Sequence, residues 1–199
     1  MGMRSFDPVR VGELECDAWV TYYRRNWVGV LRAALALTRE SFGLSWPETL
    51  RGGWWVLRAN QLWAPYPDND PDGARRYMER FYRMIAAREG ASFEPAEAAR
   101  REVEWWRAHR ELQHGRADGD DGELVEALVQ LYAYVYSVPP DSVRSAARER
   151  ALAMLHSDRW IDDGCDPSSP LIAEERAALV GSYRFLLAAV RTDEATSRE

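Results

Sequence analysis

The chain contains no lysine: all 26 of its basic residues are arginine. The simplest cause is a GC-rich genome, because arginine and alanine codons are GC-rich and lysine codons are not. The arginine count therefore carries no functional weight. Cysteine is nearly absent too. Cys16 and Cys165 are the only two, and they show no metal-ligand spacing. Two cysteines in a chain of this length build no disulfide framework, so free thiols in a reducing compartment are expected. Long apolar runs are missing: nothing approaches the ~18 residues of a membrane span. The opening MGMRSFDPVRVGELE lacks the apolar stretch of a secretory signal. The expected location is cytoplasmic. A basic stripe is missing as well. The net charge is −6 and arginine alternates with glutamate and aspartate, which argues against a nucleic-acid footprint. Nucleophile elbows, phosphate loops and C-x-x-C pairs do not occur.

What is present is helical periodicity. Apolar residues make up 46% and charged residues 29%, so the chain belongs with globular proteins rather than disordered ones. Val11 to Phe42 reads as one long amphipathic helix, with Cys16, Val20, Tyr23, Trp27, Leu31, Ala34 and Thr38 on one face and Gly43 as its stop. Ser45-Trp-Pro-Glu48 is a capping box that opens a helix through Trp63, and Gly52-Gly53 inside it either weakens that helix or marks a close helix contact. Asp70 followed by Pro71 starts a helix that ends at Gly90. Ser92 to His114 follows, closed by Gly115. A polar loop over Gly115–Asp121 leads to Leu124–Ser137, apolar almost all round and so expected to be the central buried helix. A helix from Pro140 to Asp163 and one from Ser169 to about Arg191 complete the chain. The expected fold class is all-α: a single-domain irregular antiparallel bundle of about seven helices. Residues 1–10 read as a flexible leader, 11–191 as the helical domain and 192–199 as a frayed tail.

The Ser92–Gly115 stretch carries the main conflict. At ~100° per residue one face collects Ala98, Ala99, Glu102, Trp105, Trp106, His109, Leu112 and Gln113. Polar Glu102, His109 and Gln113 thus stand among tryptophans, and burying them is costly unless each finds a partner. Glu102…His109 recurs as Glu149…His156, seven residues apart in both cases, so each pair shares a helix face. If the two helices faced one another, His109, His156, Glu102 and Glu149 could bind a divalent metal (Zn, Fe or Mn), or poise a histidine for proton transfer, with Asp158 or Asp163 nearby. The simpler reading satisfies each glutamate with arginine and each histidine with a buried acceptor.

Two further patterns stand beside their plainer readings. Asp68-x-Asp70-x-Asp72-Gly73 with Glu79 matches a calcium-loop spacing. Pro71 preorganises a helix inside it and Arg75 and Arg76 interrupt it, which favours a helix cap complementing the macrodipole. Glu111-x-x-His114 has di-iron spacing, but it lies on the solvated side and lacks a second copy. Nine tryptophans and nine tyrosines could line a cavity for a small apolar or aromatic ligand, with Trp105, Trp106 and Trp160 as candidates, or could simply fill the core.

The phrases Arg58–Asp72 (RANQLWAPYPDNDPD) and Glu102–Arg110 (EVEWWRAHR) resemble a group of uncharacterised all-helical proteins from high-GC Gram-positive bacteria. The resemblance runs over most of the chain. It implies a bacterial, cytoplasmic, helical protein and attaches no activity, cofactor or site residue. Two functional readings follow. The first is a binding or interaction module using an aromatic-lined pocket or an exposed helix face. The second is a metal-dependent enzyme built on the Glu/His cluster. No motif demands chemistry, so the first is preferred.

Overall fold

The computed structural model describes the backbone of residues 2–115 and 120–196 and the side chains up to residue 193. Among the described residues there are eight helices and no strands: α1 (Pro8–Tyr23), α2 (Trp27–Phe42), α3 (Trp46–Trp63), α4 (Pro71–Glu89), α5 (Pro95–Gln113), α6 (Gly122–Tyr136), α7 (Pro140–Asp162) and α8 (Pro170–Thr196). None is long and apolar enough to cross a membrane.

The eighth helix comes from a break in the expected Val11–Phe42 helix. Arg25 takes a left-handed φ of 56°, and the Asn26 side chain accepts the Gly29 N–H at 3.1 Å, so α2 starts afresh. An Asn N-cap three residues ahead of a glycine was the local signal for this break. At the N-terminus Asp7 accepts the N–H groups of Val9 and Arg10, α1 begins at Pro8 rather than Val11, and Met3 and Phe6 are buried. At the other end α8 continues to Thr196, past the point where fraying was expected; residues 197–199, like 116–119 of the polar loop, lie outside the described residues.

The chain groups into two compact units, Met1–Gly43 with Val138–Glu199, and Leu44–Ser137. In the first, α8 packs against α7 and α1, and α1 packs against α2. Small side chains make this possible. Ala146, Ala147, Ala151 and Ala153 of α7 are buried, and a Cβ on Gly12 would stand 2.8 Å from the Val180 backbone of α8. In the second, α3, α4, α5 and α6 each pack against the next. Here α4 buries Met78, Phe81, Tyr82 and Ile85, and α6 buries Leu124, Val125, Leu128, Val129, Leu131, Tyr132, Val135 and Tyr136. Helices that meet their sequence neighbours through short turns suit the antiparallel packing of bundles.

Candidate functional site

Besides α2, which exposes Trp27, Val28 and Leu31, three places in the molecule break the usual rule of apolar inside and polar outside. The first is α5. Its start is set by Pro95 at the first helical position, with Glu94 as N-cap and its N–H donating to the Tyr134 hydroxyl at 3.0 Å. This rotation buries Val103, Trp105, Trp106, Ala108 and His109. Glu102 lies at the edge of that face, where the Tyr82 hydroxyl donates to one carboxylate oxygen at 2.6 Å and the Trp106 indole N–H to the other at 3.2 Å. Burial, then the adjacent Glu102 charge, hold the Tyr82 hydroxyl well above the ordinary phenol range. Trp63 lies 5.9 Å from Trp106, and Arg110 stacks over Trp63 while donating to its carbonyl at 3.0 Å. On this face the Glu102 carboxylate thus holds one indole and one phenol.

Of the four histidine–glutamate residues, Glu102 and His109 belong to one unit and Glu149 and His156 to the other. Within its unit, Glu149 lies against Gly181, and the His156 Nδ1 stands 3.2 Å from Glu174. Among the described residues no group of three or more His, Cys, Asp or Glu side chains is gathered to hold a metal ion. A seven-residue repeat within two helices sets which face a residue shares, but not which helix that face meets. The calcium-loop lookalike is likewise dispersed. Asp70 accepts the Gly73 N–H at 2.8 Å as the cap of α4, Asp72 pairs with Arg75 at 2.8 Å, Glu79 pairs with Arg83, and Asp68 is exposed. His114 stacks on Tyr66 at 4.3 Å in an exposed position.

The candidate pocket tryptophans are core. Trp105, Trp106 and Trp160 are buried, and the Trp160 indole donates to the Asp166 carbonyl at 2.8 Å. A depression in the second unit, about 380 Å³ and open to solvent, is lined by Arg100, Arg101, Glu104, Glu123, Glu126, Ala127 and Gln130 rather than by aromatics.

The second place is in the first unit. Glu15 is buried on α1 and takes two bonds from Arg150, at 2.5 and 3.1 Å, and one from the Tyr183 hydroxyl at 2.5 Å. Beside it Glu175 (2% exposed) and Ser157 (1% exposed) face a cavity of about 10 Å³, also lined by Trp19, Ala153, Met154 and Leu179. The Glu175 Oε2 and the Ser157 hydroxyl have no protein partner. Burial, with Glu15 adding to it, pushes the Glu175 carboxyl up to about 8, so it stays protonated at neutral pH. The space suits one water molecule and nothing larger. Sequence reasoning passed over both acids. The signal was there in α8, where Glu175, Leu179, Ser182 and Leu186 recur at helical spacing with a carboxylate at the head of the seam.

The third place is the outer face of α3. This helix buries Thr49, Gly52 and Ala59. It exposes Trp46, Leu50 and Trp54, each at 57%, and Leu57 at 43%. The cause is the contact with α4: a Cβ on Gly52 would lie 2.9 Å from the Met84 methyl and 3.2 Å from the Phe81 ring. Only small side chains fit there, so α3 turns its small residues inward and its large ones out. Positions 46, 50, 54 and 57 fall within an arc of about 80° at 100° per residue, with half-buried Gly53 about 20° beyond its edge. Arg51, exposed, and Arg58, stacked on Trp54 at 5.9 Å, flank the stripe.

No protein-family model, curated protein or solved structure matches the chain.

Proposed function

We propose that the chain is a helical interaction module whose contact face is the outer stripe of α3. The single observation that carries this reading is the inverted burial of that helix. Given ~250 Å² for a whole tryptophan side chain, the exposed fractions of Trp46, Leu50, Trp54 and Leu57 leave roughly 450 Å² of apolar surface, within the ~300–600 Å² of a monomer's largest, often functional patch. Tryptophan and arginine are also the residue types that most often carry binding energy at interfaces. The face supports a ridge-like contact with another polypeptide rather than a closed pocket for a small molecule, because Trp105, Trp106 and Trp160 are used up as core.

The test is photo-crosslinking of the full chain in the cells that produce it. Benzoylphenylalanine in place of Leu50 should give a discrete polypeptide adduct that is lost when Trp54→Glu is added. The same group in place of exposed Arg148 on α7 should give none. Absence of a position-specific adduct at residue 50 would overturn the reading.

A further inference from the structure

The α3 stripe is complementary to itself. Trp46 and Leu57 stand at equal distances on either side of a point near Gly52, and so do Leu50 and Trp54. A two-fold axis through that point lays a second stripe antiparallel on the first. Trp46 of each copy then meets Leu57 of the other, and Leu50 meets Trp54. Every large flat ring faces a smaller branched side chain, the alternation that lets two surfaces interdigitate. Gly53 borders that face, one residue along the helix from the axis, and has no side chain to hold the two backbones apart. Closed two-fold pairs are the commonest oligomers, and they require this kind of self-matching patch.

We infer that α3 is the contact helix of a homodimer in which two copies of the chain pair antiparallel about Gly52 and Gly53. The inference rests on the interaction reading above and names its partner. The area is that of a weak, reversible pair. Two stripes together remove about 900 Å² of apolar surface before any flanking residue is counted, close to the ~1,000 Å² that a specific interface must clear. An interface of this size built on four tryptophans is a moderate one, in the micromolar range by order of magnitude. The other occupants such a face could take, an unrelated apolar helix or nothing, are separated by the test.

Sedimentation of the full chain over a concentration series should show a species of twice 22.8 kDa that dissociates on dilution. Leu50→Glu and Trp54→Glu should each weaken association by roughly tenfold or more, with unchanged helical circular dichroism, since neither side chain is in the core. The register is read by cysteine scanning in a Cys165→Ser background. Gly53→Cys lies beside the axis and should form a covalent dimer under mild oxidation. Gln61→Cys, exposed on the same side of α3, is carried about 28 Å from its symmetry mate along the helix axis at 1.5 Å per residue, and should not. Equal crosslinking at both positions would mean parallel pairing, and crosslinking at residue 61 alone would mean a different register; either overturns the inference. A wild-type chain that stays monomeric into the hundreds of micromolar also overturns it. If that monomer still gives a foreign polypeptide adduct at residue 50, the interaction reading stands without the homodimer. If it gives none, both fall.

Discussion

Helices α3 and α5 lie in the same unit, both carry adjacent tryptophans, and they use them in opposite ways. On α5, nearly half charged by composition, Trp105 and Trp106 are buried and Glu102 is recruited to bind an indole and a phenol. On the more apolar α3, the tryptophans at 46 and 54 stand in solvent, while Thr49, Gly52 and Ala59 make the packing face. The difference is not hydrophobicity. The neighbour decides: where α4 brings Phe81 and Met84 close, only small residues fit, and the large ones must turn away. Helix packing thus ranks side chains by volume as well as polarity.

Substitutions should break this comparison cleanly. Trp106→Ala should cost about 3–5 kcal/mol, the range for a buried aromatic replaced by alanine. Trp54→Ala should stay within about 0.5 kcal/mol in urea unfolding below the association range, as for other surface changes. Equal losses at the two positions would mean that α3 is not an outward-facing helix.

The fully bonded Glu102 can also be set against Glu175, whose Oε2 has no protein partner. The Glu175 carboxyl is raised from 4.5 to about 8. Below pH 4.5 both folded and unfolded chains hold its proton, and its contribution to stability is whole. Between 4.5 and about 8 only the folded state holds it, so stability falls by about 1.4 kcal/mol per pH unit and then levels off. Glu175→Gln should remove that slope and leave the chain more stable than wild type by about 3 kcal/mol at pH 7. Parallel stability–pH curves for the two proteins between pH 5 and 8 would contradict this.

Smaller effects sharpen the picture. Gly52→Val should cost about 1–3 kcal/mol, because its methyls meet Phe81 and Met84. Tyr82→Phe should cost about 1–2 kcal/mol in thermal or urea unfolding, by stripping one hydrogen bond from the Glu102 carboxylate. Of the thiols, Cys16 should resist iodoacetamide in the native state while Cys165 reacts. Burial pushes the Cys16 thiol up to about 12, whereas Cys165 is half-exposed.

Much of the fold was legible locally. Ser45 with Glu48, Asp70 with Pro71, Gly43 and Gly90 mark helix ends through bonds made within three or four residues, and such bonds need no knowledge of the rest of the chain. The all-helical class followed from these signals and from apolar periodicity. The Asn26 cap was equally local but was hidden beneath a continuous apolar pattern running through it. The pairing of faces was not legible. Periodicity tells which residues share a side of a helix, and it placed His109 with Trp105 and Trp106, but it is silent about what that side meets. Whether Glu102 finds a metal or a tyrosine, whether Glu175 finds any partner at all, and whether a tryptophan fills a core or meets solvent depend on residues 20 to 160 positions away. The sequence by itself determined the helices, their ends and their polar and apolar sides. Tertiary structure alone decided which apolar sides were covered, because burial is a property of two surfaces and each helix encodes only one.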